Sequence, residues 1–292
     1  MKIGTPLLSL GIWFLAATCL CISAGTQKSN SISTYYLGFD RNTYPGDEVL
    51  PLLRRTFSFA GYWLSAPPGE KRSSWTGKRK LLQQQGFGFM VLFNARASRE
   101  VKTIQDARAA GTLDAKRAAK LAVQNGFLPA TIIFLDVEEG GRLSIAYHAY
   151  LKAWFEKLSA TGFRPGVYCS GIPVDEGNGV HITTAQDIQS HAGSNKIVFW
   201  VYNDTCPPSP GCTFPNAPPS PSVSGTDFAS IWQYAQSPMR KGIASHCPAN
   251  YAQDGNCYAP GDQSQKWYLD ANVASSRDPS SAKEKGARET TP

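Results

Sequence analysis

Eight short apolar runs recur along the chain, and helical or turn-rich stretches separate most of them. The runs are Tyr35–Asp40, Ser58–Leu64, Phe87–Asn94, Ala130–Asp136, Arg164–Cys169, Lys196–Tyr202, Ser230–Tyr234 and Lys266–Asp270. Strands alternating with helices imply βα units and a parallel sheet. Eight such units predict an α/β fold closed as a (β/α)8 barrel of the TIM type. Thr131 to Leu135 is apolar without alternation, as befits a strand covered on both faces.

Helices are expected over Asp47–Thr56, Thr112–Asn125, Ile145–Thr161 and Thr183–His191. The second ends at Gly126, a natural C-cap. The third carries Tyr147, Tyr150, Leu151, Trp154 and Leu158 at helical spacing, a stripe suited to packing against the barrel. Two segments break the rhythm. Asn203–Asp227 is proline-rich and cannot form a regular helix, and Pro238–Gln265 is a second long insertion.

The ends of the chain read differently. Lys2 followed by the apolar stretch Leu7–Ile22, with Ile22-Ser23-Ala24 as a small-residue site, predicts a signal peptide over residues 1–24. Lipid attachment at Cys19 or Cys21 and an uncleaved anchor are the alternatives. Removal of the leader leaves about 268 residues, which suits one barrel of about 250. The domain is therefore placed at residues 35–274. Residues 275–292 are almost free of apolar side chains and predict a disordered tail. No second long apolar stretch appears, so no membrane contact is expected beyond the signal peptide.

A secreted or cell-surface location, including a periplasm, bears on the cysteines. Cys206 and Cys212 bracket one short loop and Cys247 and Cys257 another, so each pair is expected as a disulfide within an insertion. Cys169 ends an apolar strand and is expected as a buried thiol. The four histidines stand far apart, with no metal-ligand spacing, so no metal and no cofactor is expected. The net charge of +7 is scattered over loops and helices without a stripe of base-stacking aromatics. That argues against a nucleic-acid partner and is consistent with attraction to anionic cell-wall polymer. A monomer is expected.

The strands end on polar residues: Asp40, Asn94, Asp136, Tyr202, Gln233 and Asp270. In barrel enzymes the site is built at the C-terminal ends of the strands. Asp at such a place also commonly caps a turn or helix. Asp136-Val137-Glu138 is the sharpest feature, because alternation turns Asp136 and Glu138 to one face, with Cα atoms roughly 6.5–7 Å apart. Two carboxyls that close separate their affinities for protons, as acid-assisted glycoside hydrolysis requires. Glu139 competes for the acid role but faces away if the strand continues. Tyr44, Trp63, Trp200, Tyr202 and Trp232 could stack on sugar rings or fill the core. Asn94, Trp63, Tyr202, Trp232 and Gln233 are the candidate substrate-binding residues.

Gly38-Phe39-Asp40, with Gly46 six residues on, resembles the opening Asp-x-Ser-x-x-Gln-Gly motif of family 25 glycoside hydrolases, the bacterial cell-wall lysozymes. Asn42 and Pro45 stand where that motif has Ser and Gln. Asp136-Val137-Glu138, Trp232-Gln233-Tyr234 and Asp270-Ala271-Asn272 are similar to its Asp-x-Glu, Trp-Gln-Tyr and Asp-x-Asn. The middle of the chain, Ala130–Asp136 and then Tyr150–Gly171 with Gly166-Val167-Tyr168, resembles secreted bacterial proteins with a glycoside-hydrolase-like domain of unassigned function.

The resemblance implies a barrel outside the cytoplasm with a polysaccharide partner such as peptidoglycan. Under it Glu138 is a general acid. Asp136 is a nucleophile or orients a substrate acetamido group, and Asp40 and Asp270 tune charge and position hydroxyls. A non-catalytic glycan-binding protein is the alternative. A peptidase or esterase is weaker, since no Gly-x-Ser-x-Gly elbow or His-Glu-x-x-His is present.

Overall fold

The computed structural model describes Met1 and residues 34–204, 218–236 and 269–281. The expected signal segment after Met1 lies outside these residues. So do Cys206, Cys212, Cys247 and Cys257, and therefore both expected disulfides.

Eight strands close into a mixed α/β barrel of the TIM type. They are β1 (Tyr36–Asp40), β2 (Phe59–Trp63), β3 (Gly88–Asn94), β4 (Ile132–Asp136), β5 (Arg164–Ser170), β8 (Val198–Tyr202), β9 (Ala229–Ala235) and β10 (Asp270–Ala274). Their order around the barrel is β1-β10-β9-β8-β5-β4-β3-β2. A two-stranded hairpin of β6 (Val174–Asp175) and β7 (His181–Ile182) stands apart from it.

The last strand differs from expectation. A (β/α)8 barrel has all strands parallel, yet β10 runs antiparallel to both β1 and β9. Antiparallel neighbours need no helical crossover between them. The strand also begins, rather than ends, at Asp270; Lys266–Tyr268 of the expected run lie outside the described residues. The reversal brings the N-terminal end of β10 to the rim where the parallel strands finish, and Asp40 is paired in register with Asp270.

The connections carry α1 (Leu50–Leu53), α2 (Arg79–Gln84), α3 (Ile104–Gln124), α4 (Ile145–Ser159) and α5 (Thr184–His191). α1 is only one turn of the longer helix expected there. α3 starts earlier than expected, at N-cap Thr103, whose hydroxyl accepts the Asp106 N–H. Gly111, just before the expected start at Thr112, lies within α3. A Cβ there would stand 2.3 Å from the Tyr150 carbonyl oxygen, so glycine lets α3 and α4 approach backbone to backbone. Ser144 and Thr183 cap α4 and α5 in the same way.

Apolar side chains form two layers. Outside the sheet, Phe39 packs on Phe57, Trp75 and Phe87, Tyr62 on Phe89 and Phe127, and Phe93 on Trp154. The stripe on α4 is buried in this layer, as its spacing implied. Inside the barrel, Trp200 meets Phe134 and Tyr168 edge-on. Cys169 is a buried free thiol.

Residues 275–281, expected as the start of a disordered tail, instead pack on the barrel. Asp278 accepts the Phe89 N–H through Oδ1, and the Ser280 hydroxyl accepts the Val91 N–H, both at 2.8 Å. Polar side chains thereby satisfy β3 backbone donors, so a segment poor in apolar residues is ordered by hydrogen bonds. Among the described residues no helix is long and apolar enough to cross a membrane.

Candidate active site

Side-chain contacts between strands that are not neighbours mark the inner face of the barrel. Tyr168 on β5 donates its hydroxyl to Gln233 Oε1 on β9 at 2.8 Å, passing over β8. Trp200 on β8 donates its indole N–H to Asn272 Oδ1 on β10 at 2.8 Å, passing over β9. Gln233 and Asn272 then both donate to Asp40 Oδ1 on β1, at 2.9 and 2.7 Å. A chain of side chains thus fixes the Asp40 carboxyl at the end of its strand. Gly61 on β2 makes room for it, since a Cβ there would lie 2.5 Å from Asp40 Cβ.

Asp136 ends β4 opposite Asn94 and Tyr168 in the ladder. Glu138 lies two residues beyond the strand. Val137 nevertheless donates its N–H to the Tyr168 carbonyl at 2.9 Å, which continues the ladder by one step. The alternation therefore persists, and Glu138 falls on the face of Asp136. Asp136 is buried while Glu138 reaches solvent. Asp136 Oδ2 is buried with no donor from the protein. The Asp136 and Glu138 carboxyls interact directly, and that interaction favours the proton on Asp136 over Glu138.

Burial and mutual repulsion raise the proton affinity of this group. Asp40 is pushed from 3.8 to about 6, chiefly by burial, with the Asn272 and Gln233 bonds opposing and Glu138 adding repulsion. Asp136 rises well above the ordinary range through burial, then the charges of Glu138 and Asp40. Glu138 is also raised: the barrel wall crowds it, although its tip meets water, and the bond with Asp136 works the other way. Glu138, Asp136 and Asp40, joined by Asp270, push up the Tyr168 hydroxyl after burial itself. The fold has thus gathered all four expected catalytic candidates around one phenol. Groups with separated proton affinities are what acid–base catalysis uses.

The expected substrate-binding residues are only partly brought to this place. Gln233 is buried and serves Asp40. Trp232 has the opposite side of β9, is 1 % exposed, and donates its indole N–H to the Asn203 carbonyl at 2.7 Å. Adjacent residues of one strand cannot both face the lumen, so Trp232 is corrected to a packing residue. Trp63 is 3 % exposed within the core and offers no face to a sugar. Trp200 is fully buried inside the barrel. Tyr202 and Tyr44 are half-buried. Asn94 donates its amide to the Ala66 carbonyl at 3.1 Å and borders a recess of about 310 Å³ with Arg96, Glu100, Asp114 and Arg117.

Glu139 is turned away. Its Oε1 accepts the Ser98 N–H at 2.6 Å, and its carbonyl accepts the Thr184 hydroxyl at 3.1 Å. It anchors the loop that carries Glu138. Tyr168 was not among the sequence candidates, Trp200 entered only as a stacking ring or core filler, and Asn272 only as part of the closing motif. The available signal was parity: each lies an even number of residues from a rim position on its own strand.

Closed α/β barrels with carboxyls gathered at the rim include the glycoside-hydrolase-like class. Within that class, residues 64–214 match the family model described as Rv2525c-like, glycoside hydrolase-like domain, and the chain belongs to this family. No curated protein matches the chain. Among solved structures it is similar to an uncharacterised protein of B. stearothermophilus, with a TM-score of 0.54 and 20 % identity over 82 % of this chain and 95 % of that one. Similarity also extends to the Tat-secreted protein Rv2525c of Mycobacterium tuberculosis in complex with L-tartrate. That match has a TM-score of 0.47 and 14 % identity, over 82 % and 94 % of the two chains. The glycosyl hydrolase 25 GHIP of Streptococcus pneumoniae matches at a TM-score of 0.44 and 14 % identity, over 82 % and 86 %.

Proposed function

We propose that this protein is a glycosidase acting outside the cytoplasm on a β-linked, amino-sugar-rich glycan of the peptidoglycan type. The observation that carries the reading is the Asp136–Glu138 pair, set on one face at the barrel mouth with both carboxyls raised in proton affinity. Glu138 is the member that reaches solvent, and the proton of the pair passes through it to the leaving glycosidic oxygen. Asp136 is 3 % exposed, too enclosed for direct attack on a sugar carbon, which favours the orienting role over the nucleophilic one. It keeps the proton supply of Glu138 in place and directs a substrate acetamido group. Asp40 and Asp270 provide negative charge beneath the developing oxocarbenium ion. The apolar leader ending at Ala24 supports export.

Glu138→Gln keeps the size and hydrogen-bonding shape of the side chain but removes its acid. Release of soluble fragments from peptidoglycan and from chitin-type oligosaccharides should fall by about 10²–10⁴-fold. Unchanged release by the variant would remove Glu138 from the acid role. Wild-type protein that binds these glycans without cleaving them would replace the enzyme with a glycan-binding module.

A further inference from the structure

His148 on α4 and Asp187 and His191 on α5 meet in a cluster that the proposed reaction does not use. Their nearest ligand atoms all lie within 4.8 Å of one another. Asp187 is fully buried. Its Oδ2 accepts the Leu143 N–H at 2.8 Å, whereas its Oδ1 is buried with no hydrogen-bond donor. His148 Nε2 stands 2.9 Å from Oδ2, yet it too is buried without the alignment of a hydrogen bond. His191 Nδ1 lies 3.5 Å from Oδ1 and 2.8 Å from the Asp187 backbone carbonyl, so the ring must turn to offer a nitrogen to a cation, and the two imidazole rings stack with centroids 3.8 Å apart. Arg142 comes no nearer to Oδ1 than 3.7 Å and is held by Glu176 in a bidentate pair. The ligand atoms therefore converge with Asp187 Oδ1 and His148 Nε2 both buried and unsatisfied.

We propose that His148, Asp187 and His191 form a binding site for a first-row divalent cation of the zinc class. Two imidazoles and one carboxylate suit zinc and its neighbours and do not suit calcium or magnesium. Neighbouring ligand atoms of a tetrahedral zinc site are about 3.3 Å apart, from bonds of about 2.0–2.1 Å. The three ligand atoms, one from each residue, already lie within 4.8 Å of one another, so a small closure reaches that spacing. His191 is half-exposed at the end of α5 and can turn its ring out of the stack toward the cation. With three protein ligands, water completes the shell. The bound cation ties α4 to α5, and Asp187 carries the restraint to Leu143 in the loop that follows Glu138.

The experiment titrates chelator-treated protein with Zn²⁺ by calorimetry and follows its melting, with Ca²⁺ in parallel. One equivalent of zinc should bind, and calcium should not. Zinc at a hundred times its dissociation constant should raise the melting temperature by about 5–10 °C. His191→Gln, at the exposed end of the helix, should leave the metal-free melting temperature unchanged and weaken zinc at least tenfold, the scale of lesser disturbances to zinc ligands. Adding His148→Gln should abolish stoichiometric binding. Absence of zinc uptake by the wild type at tens of micromolar, or equal affinity in the doubly substituted protein, would overturn the site. Neither result bears on glycan cleavage.

Discussion

Asp40→Asn should stabilise the protein at neutral pH and leave its stability unchanged in acid. The Asp40 carboxyl is 6 % exposed and its proton affinity is raised from 3.8 to about 6. At 1.36 kcal/mol per pH unit, that difference makes the ionised group cost the folded state about 3 kcal/mol. The sign follows from proton binding. Below pH 3.8 the group is protonated in both folded and unfolded chains, and no penalty exists. Between 3.8 and about 6 the folded protein keeps a proton that the unfolded chain has released, so stability falls as pH rises. Above about 6 the penalty is complete. Asparagine at position 40 still accepts from Gln233 and Asn272 through its carbonyl oxygen, and it removes the charge that Glu138 repels. The variant should therefore melt about 6–12 °C higher than wild type at pH 7.5, at 2–4 °C per kcal/mol for a chain of this size. The gain should vanish near pH 3.5. Scanning calorimetry at the two pH values measures both. A variant that melts at or below the wild type at pH 7.5, or one whose gain persists at pH 3.5, would refute the reasoning. A more stable but less active Asp40→Asn protein would further identify the cluster as a site where folding stability is given up for chemistry.

Gly61→Ala forces a methyl group to within 2.5 Å of Asp40 Cβ and 3.2 Å of its Cα, so β1 and β2 must part. Denaturant unfolding should show a loss of about 1–3 kcal/mol; an unaffected midpoint would show that the strands yield freely. Ser280→Ala removes the acceptor of the buried Val91 N–H. It should cost about 1–3 kcal/mol, and a neutral result would show that the segment 275–281 does not hold β3.

Periodicity and parity were legible in the sequence because they are properties of single elements. A strand turns its side chains in and out by backbone geometry alone. For that reason the Asp136–Glu138 pair, the outward turn of Glu139 and most strand positions followed from residue order. Seven of the eight strand runs overlap their observed counterparts broadly; the eighth meets its strand only at Asp270. The direction of β10 was not readable, since it depends on the route of the connection from β9. Nor was the availability of the aromatic rings. Trp63 and Trp232 carry the same composition signal as an open stacking platform, and only packing with distant segments decides that both are buried.

The same limit explains the two clusters. Asp40 meets Gln233 and Asn272, and His148 meets Asp187 and His191, across long separations in the chain. Sequence order alone determined which residues are ionisable and which face of their own strand or helix they occupy. Closure of the barrel and the docking of α5 beside α4 decided which of them share a space. Those distances, with the loss of water around the buried groups, set the proton affinities on which the proposed chemistry rests.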